Sequence, residues 1–390
     1  MFAGFCSFLQ LYATQPLLPL LADVFHAGKT AVSLTVTAAG LGVALGAPIA
    51  GYMADRLGRK RLIVWSAALL ALVTFLTATS TSLGVLVFWR FCQGVFTPGV
   101  FAVTIAYIND EWADGGAPAA LSTYISGTVL GGFCSRMISG LVAARLPWPW
   151  VFVALGLLAA AGACGIARWL PRERKFHHPT VERGSLWAAL RAHLANRRLL
   201  ATFTVGFCVL FSLVATFTYV TFYLAEPPFR LQPAALGSVF VVYLVGAAIT
   251  PISGRAIDRF GNRRTLAFAI GTGVAGVALT LGQSLWLVAL GLTITCSGVF
   301  LAQTSANSFV GLAAKENRAL AAGLYATFYH TGGSFGAAAP GYFWALGGWP
   351  ACVAFIACVQ ILTVLLALTF WPEGPRGGKR EAWTNPPELD

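Results

Sequence analysis

The chain has 390 residues, 57% of them apolar and only 10% charged, with a formal net charge of +12 at pH 7. Soluble domains carry about 25% charged residues, so composition excludes an ordinary water-covered surface and implies one that faces lipid. The cations fall between apolar runs instead of covering one soluble face, which excludes nucleic acid as their explanation and makes them a topology signal.

A helix needs about 20 apolar residues to cross the hydrocarbon, and twelve stretches qualify. In the first half they lie near 2–22, 33–53, 62–80, 84–107, 119–144 and 149–170. In the second half they lie near 199–224, 235–254, 265–283, 285–312, 320–343 and 351–371. Met1 leads into the first run without a basic segment or a small-residue cleavage site, so 2–22 reads as a retained span. The predicted fold class is an all-α polytopic membrane protein, with a six-helix bundle over 1–170 and a second over 199–372. Between them, 171–198 reads as a cytoplasmic linker with an interfacial helix around Leu186-Trp187-Ala188-Ala189-Leu190. Residues 373–390 read as a disordered tail.

Lys and Arg set the orientation, because cytoplasmic loops retain them. With Met1 inside, 21 cations lie on the inner side, while Lys29, Arg145 and Arg230 lie on the other, which places both termini in the cytoplasm. The eight cysteines all fall in apolar stretches without CxxC spacing and read as small core residues. Trp148, Trp169 and Trp371, at span ends, read as interfacial anchors. His177-His178 has no partner of metal-ligand spacing, so no metal and no cofactor are expected.

The two halves repeat each other. Gly51, Asp55, Arg56, Gly58, Lys60 and Arg61 return as Gly254, Asp258, Arg259, Gly261, Arg263 and Arg264, 203 residues later. Gly4-Phe5-Cys6 returns as Gly206-Phe207-Cys208, while Tyr124, Gly131-Gly132 and Trp148 return as Tyr325, Gly332-Gly333 and Trp349. A period this long fits a duplicated membrane bundle and no solenoid. In the loop motif, Gly51 and Gly58 suit close backbone approach and a tight turn, Asp55 suits a helix N-terminus or an arginine, and Arg59 suits an acid across the loop. Together they read as a conformational latch; the alternative is that these charges only fix topology.

Twelve spans in two halves, with Gly-x-x-x-Asp-Arg-x-Gly-Arg-Lys-Arg between the second and third, resemble the major facilitator superfamily of secondary transporters over essentially the whole chain. Tyr12-x-x-Gln15-Pro16-Leu17-Leu18-Pro19 and Tyr329-x-x-Gly332-Gly333-Ser334 are similar to a bacterial subgroup of sugar or arabinose exporters and drug exporters. The resemblance implies alternating access in a bacterial inner membrane, a latch acid at Asp110 or Glu111, and a pathway lined by the first, fourth, seventh and tenth helices. Asn262 replaces the second copy of Arg59, so the second latch, around Asp258 and Arg259, is expected to be weaker. Drug-antiporter relatives carry a proline in the fifth-helix glycine motif, and this chain has none there.

Ionisable groups at membrane depth mark pathways. Arg90 and Gln93 on the fourth helix, Arg136 on the fifth and His330 on the eleventh are the candidates. No Asp or Glu lies mid-span, so water, an acid at a helix end such as Asp23, or an anionic or polyhydroxylated solute must compensate the arginines. Asp23, Glu226 and His330 are the candidates for proton coupling; His330 is equally read as a neutral core imidazole. Uncharged polar residues complete the expected solute site: Gln10, Tyr12, Thr14, Gln15, Tyr219, Tyr223, Gln303, Asn307, Tyr325 and Tyr329, some of them claimed by helix packing. The expected partners are a small solute and membrane lipid, with the chain a monomer. The expected activity is export of a polar or amphipathic solute, with a multidrug exporter or a facilitator as alternatives. No phosphate loop, metal-binding motif or nucleophile arrangement suggests ATP-driven transport or an enzyme.

Overall fold

A computed structural model describes residues 1–112, 116–171, 173, 183–314 and 316–372. His177, His178 and the tail from 373 lie outside them. Fourteen α-helices occur among the described residues: α1 (Phe2–Phe8), α2 (Leu18–Val24), α3 (Lys29–Leu57), α4 (Arg59–Ala78), α5 (Leu83–Glu111), α6 (Ala117–Ala143), α7 (Pro149–Trp169), α8 (Arg183–Ala195), α9 (Arg197–Ala225), α10 (Pro233–Val239), α11 (Val242–Leu279), α12 (Leu285–Ala313), α13 (Arg318–Ala338) and α14 (Pro340–Phe370). Eight are long and apolar enough to cross a membrane unaided. The other spans are interrupted. The first is α1 and α2 joined through turns and a short 3-10 segment at Gln15–Leu17, the eighth is α10 with the start of α11, and bends at Gly261 and at Gly347-Gly348 divide α11 and α14 between successive spans. The result is twelve spans in two pseudo-symmetric six-helix halves.

The continuous first helix expected from hydropathy is therefore broken. Pro16 and Pro19 remove two donors from the helical ladder, and the backbone turns with three-residue bonds, Ala13 to Gln10 and Gln15 to Tyr12. The eighth span breaks similarly at Phe240 and Val241, where Tyr243 N–H donates to the Phe240 carbonyl at 3.0 Å. The segment around Leu186–Leu190 is helical, as α8, whose His193 ring lies 3.4 Å from the Asn317 carbonyl.

The internal repeat has a packing cause. A Cβ built on Gly131 would strike the Phe5 carbonyl, and one built on Gly332 would strike the Phe207 carbonyl. Gly4 likewise meets Tyr124, and Gly206 meets the ring of Tyr325. Each half thus seats its first helix on its fifth through glycines that allow backbone contact, and the repeated residues are those that touch. Gly58 and Gly261 also share a left-handed backbone, φ 86° with ψ 146° and φ 79° with ψ 159°, as a sharp reversal between helices requires.

Two expectations about burial are corrected. Trp148 and Trp371 are core residues: Trp148 packs on Phe25 and Phe152, and Trp371 stacks on Phe309 at 4.3 Å and donates to Thr202. Only Trp169, 71% exposed, sits as an anchor would. Cys164 and Cys358 are exposed, whereas Cys6, Cys208, Cys296 and Cys352 are buried. In a bilayer an apolar residue has two favourable surroundings, core and lipid, so hydropathy does not choose between them.

The halves meet through α3 with α13 and through α6 with α10. Thr37 donates to the Ser334 carbonyl at 3.1 Å, Gly140 packs on Gly237, and Gly341 packs on Thr30. These contacts lie toward the far end of the bundle, remote from Gly58 and Gly261. At the basic end, a Cβ on Gly51, Gly254, Gly311 or Gly323 would meet nothing within 4 Å. The close approach expected of Gly51 is not made in this conformation.

Candidate functional site

Two buried arginines occupy the interior and differ in their partners. Arg90, fully buried in α5, directs Nε to the Thr35 carbonyl at 3.2 Å and Nη1 to the Gln10 carbonyl at 2.7 Å and to Gln93 Oε1. Its Nη2 donates to the Leu11 carbonyl. Gln10 and Leu11 lie in the broken stretch of the first span, whose carbonyls lack helical donors. Arg90 supplies those donors. Gln93 carries the brace onward, donating to Thr74 at 3.0 Å. All of these residues belong to the first half.

Arg136, 2% exposed in α6, has a different setting. Its Nε donates to Gln15 Oε1 at 2.8 Å and its Nη1 to the Gly132 carbonyl at 2.7 Å. The guanidinium lies over three rings, Tyr12 at 4.7 Å, Phe240 at 4.8 Å and Tyr243 at 4.7 Å. Phe240 and Tyr243 come from the broken eighth span of the other half, and Gln15 Nε2 donates to Thr218 of α9 across the same seam at 3.2 Å. Arg136 therefore sits between the halves, beside the two spans whose helices are interrupted. Such interrupted helices form solute sites in membrane transporters because their freed backbone groups can face a ligand.

The other predicted site residues divide. Tyr329 lies against Gln303 and within electrostatic reach of Tyr12, Tyr243 and Tyr325, which joins all of them to the Arg136 cluster. His330 meets Tyr329 edge to face at 5.5 Å. Tyr325 Oη, Thr14 Oγ1 and both amide atoms of Gln10 are buried without a hydrogen-bond partner among the described residues. Tyr219 instead bonds the Ala337 carbonyl at 3.1 Å and lies against Ser33 of α3, and Tyr223 bonds Gly282 and stacks on Trp349, so the hydroxyls of both are engaged elsewhere. Asn307 is exposed toward the basic end, and Asp23 is exposed at the far end. Asp23 is not a partner of either arginine.

Ion pairs mark both ends of the bundle. At the basic end Arg59 pairs with Asp110 and also reaches the Ala106 carbonyl, while Arg56 lies over Tyr52 at 4.5 Å. The side chain of Asp55 lies outside the described ones. The N-terminus of α4 is met by Glu173 of the linker, which accepts from the Arg59 backbone N–H at 2.7 Å. In the second half Asn262 makes only a neutral contact, 3.5 Å to Ser308. At the far end Lys29 pairs with Glu226 across the halves and lies 4.1 Å from the Trp344 ring. Sequence reasoning missed Lys29, Glu173, Phe240 and Tyr243. For Lys29 a signal existed, since it is one of three cations on the side that otherwise lacks them.

Two six-helix halves around a polar cluster, closed at one end and bordered by interrupted helices, define a membrane transport protein. The sequence model of the Major Facilitator Superfamily matches residues 1–231 and 227–387, and the chain belongs to that family. It is 31% identical over 372 residues to the uncharacterized MFS-type transporter YybF of Bacillus subtilis, covering 95% of this chain and 91% of that one. It is also 31% identical over 366 residues to the inner membrane transport protein YnfM of Escherichia coli, covering 93% and 87%. Among solved structures, a mutant of the nucleoside transporter NupG superposes with a TM-score of 0.79 at 15% identity, covering 95% and 99% of the two chains.

The far-end pair yields a direct expectation. Lys29 and Glu226 are partly exposed, 29% and 49% in their side chains, so their attraction is worth about 0.2–1 kcal/mol. Glu226→Gln should raise the rate at which a water-soluble maleimide labels a cysteine placed at Thr30, by up to about fivefold. An unchanged rate would mean that the pair does not hold the far end closed.

Proposed function

We propose that this transporter exports a small polar or amphipathic solute across a bacterial inner membrane by alternating access, with both termini in the cytoplasm. The observation that carries the reading is the asymmetry of the seam: the halves are locked at the far end around Thr37, Gly140 and Lys29, while the basic-end glycines have open space. With the basic end cytoplasmic, this conformation is inward-facing, and the solute site is the cluster of Tyr12, Gln15, Arg136, Gln303, Tyr325 and Tyr329. The Arg59–Asp110 pair is already made within the first half in this conformation; the remaining latch residues, Asp55, Arg56, Gly58 and Glu111, then serve the closed basic end of the opposite, outward-facing state. His330, beside Tyr329, is the proton-coupling candidate nearest the site, and Glu226 acts in the far-end closure. The export direction is supported by the subgroup likeness of the Tyr12–Pro19 segment.

The test is uptake into proteoliposomes of a panel of labelled sugars, uridine, aromatic monoanions and cationic dyes, with and without an imposed pH gradient. Saturable uptake of one panel member, accelerated by the gradient, is the expected result. Gradient-independent equilibration would make the protein a facilitator, and no uptake of any member would remove the transport reading.

A further inference from the structure

The two buried arginines make an internal comparison. Every guanidinium nitrogen of Arg90 has an oxygen acceptor, all supplied by its own half. Arg136 is almost equally buried, yet it has oxygen acceptors only at Nε and Nη1, and Nη2 makes no hydrogen bond among the described residues. Of its five N–H groups, two on Nη2 and one on Nη1 remain. No carboxylate is paired with it among the described residues; the rings of Tyr12, Phe240 and Tyr243 carry its charge. A buried cation held by π faces with its fork half used is incomplete as a structural brace.

We propose that Arg136 is the recognition group for the solute, and that the solute is an organic monoanion whose charged group sits beside a flat apolar ring; this rests on the transport reading above. The charge follows from the count of available cations. Arg90 is engaged at every nitrogen and Lys29 is paired at the far end, so Arg136 offers one positive charge and a two-pronged donor, the match for one carboxylate or sulfonate. The ring follows from the surroundings. An anion that pairs with the guanidinium weakens its attraction to Phe240 and Tyr243 and leaves aromatic faces for a flat body to stack on. Because Phe240 and Tyr243 belong to the other half, the same exchange loosens the seam between α6 and α10. Binding and opening of the far end are thereby one event.

The test is calorimetric titration of the full-length protein in detergent with benzoate and benzenesulfonate, against benzamide as neutral and benzylamine as cationic counterparts. Both anions are expected to bind, and the counterparts to bind at least about tenfold more weakly or not at all. Arg136→Lys keeps the charge and loses the fork, and should weaken the anions at least about tenfold. Gln15→Glu places a carboxylate of the same size against Arg136 Nε, so it should abolish anion binding without lowering the melting temperature, which guards against a variant that merely misfolds. Anion binding undisturbed by Gln15→Glu would overturn the assignment. Uptake of uridine or a cationic dye in the liposome panel, with neither anion bound, would overturn it while leaving the transport reading in place. Anions bound by the wild type and lost in Gln15→Glu, with no uptake of any panel member, would support the assignment and strike the transport reading instead.

Discussion

Arg90→Ala should leave little folded protein. The substitution leaves the Leu11 carbonyl and the amide oxygen of Gln93 without a donor in the interior, and takes a second donor from the carbonyls of Gln10 and Thr35, which keep their backbone bonds. Each buried acceptor left without a donor costs about 1–3 kcal/mol, and water does not reach the bilayer core to replace the lost bonds. Removing the cation also relieves its own burial cost, which offsets part of the loss. Even the low end for these two acceptors, about 2 kcal/mol, is a large share of the roughly 5–15 kcal/mol that separates folded from unfolded chains. Solubilised protein should show a lower yield of monodisperse material and a melting temperature reduced on the order of 5–10 °C. Arg90→Lys should fall between, since one ammonium cannot span carbonyls from two helices. A variant that melts like the wild type and fails only in transport would assign Arg90 to solute contact.

Gly332→Val should be nearly as damaging, for a steric reason. The added Cβ would strike the Phe207 carbonyl and the backbone around it, which cannot rotate away as a side chain can. Overpacking of this kind costs about 1–3 kcal/mol or forces the helices apart. Gly131→Val meets the Phe5 carbonyl in the same way and should match it. Gly254→Val is the control, because a Cβ there meets nothing within 4 Å. Thermal unfolding of the three variants checks the argument. Equal stability of Gly332→Val and the wild type would show that the α9 and α13 seam yields, and the repeat would then need another cause.

Much of the architecture was legible in the sequence because hydropathy and duplication report it directly. Twelve spans, two halves and the paired turns at Gly58 and Gly261 all follow from patterns that lipid imposes. The interruptions were less legible. Pro16 and Pro19 signal the first break, but the eighth span has no proline at Phe240 and Val241, and its break shows only in three dimensions. For the same reason Tyr12, Gln15 and Arg136 stood out as polar residues in apolar surroundings, whereas Phe240 and Tyr243 did not, since aromatic residues in an apolar run carry no contrast. Trp148 and Trp371 were misplaced because position at a span end says nothing about which way a ring turns. Arg90 and Arg136 looked alike as isolated cations; only their acceptors separate a brace from a fork left half open.

The contact between Glu173 and the start of α4 bears on what connects the halves. It pins the beginning of the linker to the first half, and His193 lies against Asn317 of the second. Each half therefore holds one described end of the linker. A relative movement of the two basic ends must change the separation of Glu173 and His193, so that distance reports the stroke of the cycle from outside the spans.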